Sequence, residues 1–141
     1  MVALLGLASW VVSKINPVTF VENFARFGYA IIALDIAAHI AHNLFHLLAE
    51  GKSIVYTALS LFGTDAHGAS TALLDIGAIQ VLQFGLIALG LIGSLYTVYR
   101  IAQSNYPKGQ VWATCAPYTV LLVVFTAMNV VLFSLPMAMR M

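Results

Sequence analysis

Three long apolar runs limit what this chain can fold into. They cover residues 27–49, 71–99 and 111–135. The first run holds 23 residues, of which only Asp35 is formally charged, and Arg26 and Glu50 flank it. As a helix it is about 34 Å long, which is enough to cross a bilayer. Because backbone polar groups in lipid must be paired within their own segment, the runs predict an all-α integral membrane protein with three transmembrane helices.

Composition supports the same class and excludes several others. Hydrophobic residues make up 62% of the chain and charged residues 8%, with a mean hydropathy of +0.96. An ordinary soluble domain is roughly 45–50% apolar and about 25% charged. The hydrophilic stretches are short, so we expect one membrane domain over residues 1–141. The net charge of +1 offers no basic patch for nucleic acid, and the single Cys115 excludes an internal disulfide or a cysteine-ligated iron–sulfur cluster within the chain.

The segments around the first span are less regular. Residues 1–12 are apolar but short for a span, and they predict an interfacial or half-inserted helix, with a tilted fourth span as the alternative. Thr19 followed by Glu22 is typical of a capping box, so a helix should begin there and lead into the first span. Residues 51–63 suit a short helix at the membrane interface.

Basic residues give the expected orientation. Lys14 and Arg26 precede the first span, and Arg100 and Lys108 lie between the second and third. Because basic residues favour the cytoplasmic side, this end should face inward, in the inner (plasma) membrane of the cell. His46 and the loop residue His67 would then lie near the outer face.

Four polar side chains share one stripe of the first span. They are Asp35, His39, His42 and His46. At about 100° per residue they fan across only about 60° while rising about 16 Å along the helix axis. Ionisable groups at bilayer depth are costly and usually mark a function. We therefore take this stripe as the candidate site, with interhelical hydrogen bonding by the histidines as the structural alternative.

The chemistry of the stripe allows several ligands. A neutral imidazole can bind haem iron or another transition metal, and it can relay protons. The predictions are haem b or quinone binding by His39, His42 and His46, or a copper, zinc or iron site formed by these histidines with Asp35. The other two spans contain no histidine, so a second haem ligand would come from a partner subunit, Met128 or His67. Further metal ligands from neighbouring helices would be Asp75 or Asn129.

Two phrases of the sequence carry a resemblance to known proteins. They are HIAHNLFHLLAEG at residues 39–51 and GLIGSLYTVYRIA at residues 90–102. About half of the chain resembles the C-terminal membrane spans of polyferredoxin-type quinol-linked electron-transfer proteins, which are associated with periplasmic nitrate and nitrous oxide reductases. The iron–sulfur cysteines of that family are missing here. The resemblance thus implies that an iron–sulfur partner would be a separate subunit.

Two functional hypotheses follow. The first is a small membrane subunit of a respiratory electron-transfer complex, non-catalytic or co-catalytic. The second is a metal-handling membrane subunit, because the aspartate–histidine spacing is also similar to that of the metal-bearing subunit of copper-dependent ammonia and methane monooxygenases. A metal or proton transporter belongs to the same alternative. Three helices shield little interior from lipid, so both hypotheses predict a hetero-oligomer with other membrane subunits.

Overall fold

The described part of the chain is a bundle of four helices. The computed structural model describes residues 2–63 and 70–135, which contain no β-strand. The helices are α1 (Val2–Ile15), α2 (Phe20–Ser60), α3 (Ile76–Asn105) and α4 (Val111–Ser134), with a 3-10 turn at Lys108–Gln110 before α4. Three of them are long and apolar enough to cross a membrane. The predicted all-α membrane class, with three spans and a short N-terminal apolar helix, is confirmed.

Helix α2 is much longer than the apolar run inside it. It begins with the expected capping box, in which the Thr19 side chain accepts from the Glu22 N–H and the Glu22 carboxylate accepts from the Thr19 N–H. Its 41 residues extend about 62 Å, roughly twice the hydrocarbon thickness of a bilayer. Residues 51–60 continue the span as one helix instead of forming a separate interfacial one.

The segment of residues 71–73, which precedes α3, packs back on this extension. The Lys52 N–H donates to the Thr71 carbonyl (3.0 Å), and the Leu73 N–H donates to the Leu48 carbonyl (2.7 Å). In a regular α-helix the Lys52 N–H donates to the Leu48 carbonyl. Residues 71–73 supply a partner for this N–H and another for this carbonyl. A Cβ at Gly51 would lie 2.6 Å from Leu73 Cδ1, which explains the glycine at this contact.

Helices α2 and α3 cross closely through small residues. A Cβ at Gly90 would lie 2.5 Å from the Ala37 Cβ, and the Ser94 hydroxyl oxygen accepts from the Leu34 N–H (3.0 Å). The small-residue pair Gly90–Ser94 therefore lies in this crossing and permits close packing. At the start of α3, Asp75 caps the helix by accepting from the Ala78 N–H (3.0 Å).

Helix α4 runs parallel to α2. The Phe27 ring stacks on Tyr118 with centroids 3.9 Å apart, and the His42 ring faces Phe133 at 6.5 Å. In both pairs the partners are 91 positions apart in sequence, so the two helices keep the same register over four turns. This register gives the depth of any α4 residue relative to α2.

Helix α1 lies antiparallel to both α2 and α4. Asn16 donates to Thr114 near one end, and the Tyr118 hydroxyl donates to Ser9 further along. The Leu5 side chain lies 3.9 Å from where a Cβ at Gly28 would be. With 14 residues against 24 in α4, α1 accompanies only part of the span, which is the arrangement expected of a half-inserted helix.

Candidate functional site

The predicted stripe lies on the outside of the bundle. Asp35, His39, His42 and His46 are all exposed, whereas α2 packs against its neighbours through other positions, including Ala30, Leu34, Ala41 and Phe45. The continuous helix keeps the four side chains on one face, as the periodicity predicts. That face is directed away from α3, so this chain's own interior does not shield the stripe.

The half of the stripe nearer Glu50 is a connected series of rings and a carboxylate. The His42 and His46 ring centroids are 5.1 Å apart in an edge-to-face arrangement. His46 Nδ1 lies 3.8 Å from a carboxylate oxygen of Glu50, one turn further along α2. Glu50 was identified from the sequence only as the end of the apolar run. Its i,i+4 spacing from His46 was the signal that it extends the stripe.

His39 borders a shallow groove on the outward face of α2. The groove has a volume of about 370 Å³ and is lined by His39, Ile40, Asn43, Leu44 and Leu47. The Asn43 side-chain amide donates to the backbone carbonyl of His39 (2.8 Å), so this bond does not fix the orientation of the His39 ring. The groove thus combines apolar walls with an imidazole and an amide oxygen. Asn43 was not singled out from the sequence.

A second exposed surface runs along α2 and α4 beyond the part that α1 covers. Helix α1 covers the stripe-bearing face of α2 at Gly28, whereas Asp35, two turns further along the same face, is exposed. On α4, Leu121 lines the contact with α1, and the later turns of that face carry Met128 (60% exposed) and Leu132 (44%). From the α2–α4 register, these two lie at the depths of Ala37 and Ala41. We call Asp35, His42, Met128 and Leu132 the open seam.

The described residues do not form a metal site among themselves. Within residues 2–63 and 70–135, no three His, Cys, Asp or Glu side chains lie close enough together to hold a metal ion. Of the extra ligands considered, Asp75 caps α3 and Asn129 donates to the Phe125 carbonyl of its own helix (2.8 Å). His67 lies outside the described residues. A metal held by the stripe would therefore need ligands from elsewhere.

The exposed carboxylate has an energetic consequence. A charged side chain near the centre of a membrane helix costs about 2.5–3.5 kcal/mol on insertion scales. Asp35 is three residues from the middle of the apolar run, and α2 has no lysine or arginine between Arg26 and Lys52. This cost is lowered if the stripe is covered by a cofactor, by another helix or by both.

Comparison with known proteins adds no constraint to this geometry. Neither family models, nor curated proteins, nor solved structures gave a match to the chain.

Proposed function

We propose that this protein is a small membrane subunit of a respiratory electron-transfer complex, in which the α2 histidines bind haem b or a quinone together with other membrane subunits. The observation that carries the proposal is the exposure of three imidazoles and a carboxylate on one face of a transmembrane helix. Apart from the ring contact between His42 and Phe133, these groups are exposed and lie outside the packed core of the described residues. The resemblance of residues 39–51 and 90–102 to quinol-linked membrane proteins, and their usual inner-membrane location, support the same class.

The groove beside His39 favours a quinone. Small-molecule sites are mostly apolar, with a few polar groups that orient the ligand, and they begin at roughly 300 Å³. The groove has about that volume, and His39 can donate to or accept from a quinone oxygen through its ring nitrogens. The aliphatic walls at Ile40, Leu44 and Leu47 suit a lipid-soluble ring. Because the groove is open, a neighbouring subunit would have to complete it.

Haem b fits the same face from one side. An exposed imidazole of His39 or His42 can provide one axial ligand, and bound haem would supply one-electron transfer. Histidines on one face of one helix approach a haem from the same side, so a second ligand must come from another element. Met128 is exposed on the α4 side of the open seam, at the depth of Ala37. A histidine of a partner subunit is the other source.

A spectrum and a ligand analysis test the proposal. The protein, purified from its own membranes into nanodiscs, should show haem bands in a reduced-minus-oxidised spectrum, or contain extractable quinone in stoichiometric amount. His39→Ala and His42→Ala should remove most of that signal. Asp35→Asn should have an intermediate effect, because it keeps the shape and an oxygen but loses the charge.

The same substitution at His67, in the hydrophilic stretch between the first and second runs, should have only a mild effect, because solvent can replace a ligand lost there. A colourless, quinone-free protein with stoichiometric copper, zinc or iron would support the metal-handling alternative instead. Wild-type ligand content in both His39→Ala and His42→Ala would make the stripe a packing feature and remove the basis of the proposal.

A further inference from the structure

The open seam has the charge and shape to receive a particular kind of partner. We infer that it docks a transmembrane helix of another subunit that carries a lysine or arginine at the depth of Asp35. This inference deepens the proposed function, and it rests on that function for the view that the partner is a subunit of the same complex. The open seam itself is defined by contacts within this chain and does not depend on the proposed function.

The first argument is that Asp35 has no cation available from this chain's spans. No lysine or arginine occurs at positions 27–51, 76–99 or 111–134. Arg26, the nearest on α2, is nine residues away, or about 13 Å along the axis, and it approaches Glu22 instead (3.9 Å). Intramembrane carboxylates usually pair with another ionisable group, so the missing charge is expected on whatever covers this face.

The second argument concerns shape. Helix α1 already occupies the α2–α4 face at the depth of Gly28, so a helix-sized element fits against these two helices. Beyond it, the surface around Asp35 is apolar, with Ile32 and Ile36 about half exposed on α2 and Met128 exposed on α4. A partner helix that is apolar apart from one basic residue matches this surface.

The third argument excludes a second copy of this chain. Two copies in one membrane, related by a twofold axis along the membrane normal, would place the same face against itself. Asp35 would then meet Asp35 at the same depth, and like charges repel most strongly where the dielectric constant is low. The seam therefore fits a helix of opposite charge better than its own copy.

A designed helix tests the charge requirement directly. The probe is a synthetic leucine–alanine helix of about 20 apolar residues, with one lysine within a turn of its middle. The protein carries a donor dye at Ser60→Cys in a Cys115→Ala background, and energy transfer in liposomes reports binding. We expect the lysine helix to bind roughly five- to thirtyfold more tightly than the same helix with leucine.

The variants define what would overturn the inference. Asp35→Asn should abolish the preference, and Asp35→Lys with a glutamate-bearing probe should restore it. The matched control is Asp75→Asn, the same change at an exposed site, where asparagine still caps α3. Equal binding of lysine and leucine probes, no binding of either, or a preference that survives Asp35→Asn would each contradict it. So would energy transfer between two copies of the protein without a probe.

The outcome is separable from that of the proposed function. His39→Ala is expected to lose haem or quinone and to keep the preference for the lysine probe. A charge preference without any bound ligand would leave the docking surface in place and remove the electron-transfer role. Bound haem or quinone without a preference for the lysine probe would support the electron-transfer role and contradict the docking surface.

Discussion

The two halves of the bundle differ in where most of their polar side chains lie. At the basic end, defined by Lys14, Arg26, Arg100 and Lys108, polar side chains are buried and bonded between helices. The pairs are Asn16 with Thr114, Asn23 with Tyr106, and Ser9 with Tyr118. In the other half, Gln83 likewise donates from α3 to the Ala41 carbonyl of α2 (2.9 Å), whereas Asp35 and the three histidines of α2 lie outside the bundle. The buried pairs hold the helices together, and the exposed stripe is available to bind a ligand or another subunit.

This contrast separates two roles that composition cannot distinguish. A buried polar group in an apolar layer is costly unless it is paired, so each pair at the basic end fixes the position of one helix against another. The exposed stripe makes no such contribution to helix packing, apart from the His42–Phe133 ring contact. Substitutions in the two halves should therefore have different consequences, and the free energy of unfolding in detergent is the quantity that compares them.

The largest effect should come from Asn23→Ala. Asn23 is fully buried, donates to the Val18 carbonyl (3.2 Å) and accepts from the Tyr106 hydroxyl. Removing its amide takes away both of these buried bonds, at a cost of about 1–3 kcal/mol in the free energy of unfolding. A titration with SDS in mixed micelles, followed by circular dichroism, measures this.

The matched control for that substitution is Asn105→Ala. Asn105 is exposed and donates only to the Ile101 carbonyl of its own helix (2.8 Å). Its loss should change the free energy of unfolding by no more than about 0.5 kcal/mol. If both substitutions had the same small effect, the basic end would not be the stabilising half.

A smaller effect is expected for Tyr118→Phe. The substitution keeps the ring stack on Phe27 but removes the hydrogen bond from the hydroxyl to Ser9 (3.1 Å), which ties α1 to α4. Ser9 is fully buried, so the loss should be about 0.5–1.5 kcal/mol. Tyr29→Phe serves as the control, because Tyr29 is 70% exposed and should be near neutral. An unchanged titration curve for Tyr118→Phe would show that this bond does not hold α1.

What the sequence could predict was local. The stripe follows from helical periodicity alone, and the cap at Thr19 follows from a spacing of three residues, so both were found without tertiary information. These features depend on residues within one turn or one helix.

What the sequence could not predict depends on contacts between helices. In lipid, both faces of a span are apolar, so hydropathy does not show which face of α2 packs inward. The crossing at Gly90 and Ala37 decides this, and it turns the stripe outward. The extension of α2 to Ser60 likewise depends on residues 71–73, whose backbone bonds to Lys52 and Leu48 join positions 19 and 25 residues apart.

The smallest effect on folding is expected for His39→Leu, and it is the sharpest test of the contrast. His39 is exposed, and only its backbone carbonyl takes part in a hydrogen bond with a side chain, that of Asn43. Leucine is a good helix former and suits a membrane-facing position, so the free energy of unfolding of the ligand-free protein should change by no more than about 0.5 kcal/mol. Haem or quinone content should nevertheless fall. If His39→Leu lowered the free energy of unfolding as much as Asn23→Ala, His39 would belong to the groups that stabilise the fold. Replacing an exposed side chain that makes no stabilising contact by leucine should leave that free energy almost unchanged.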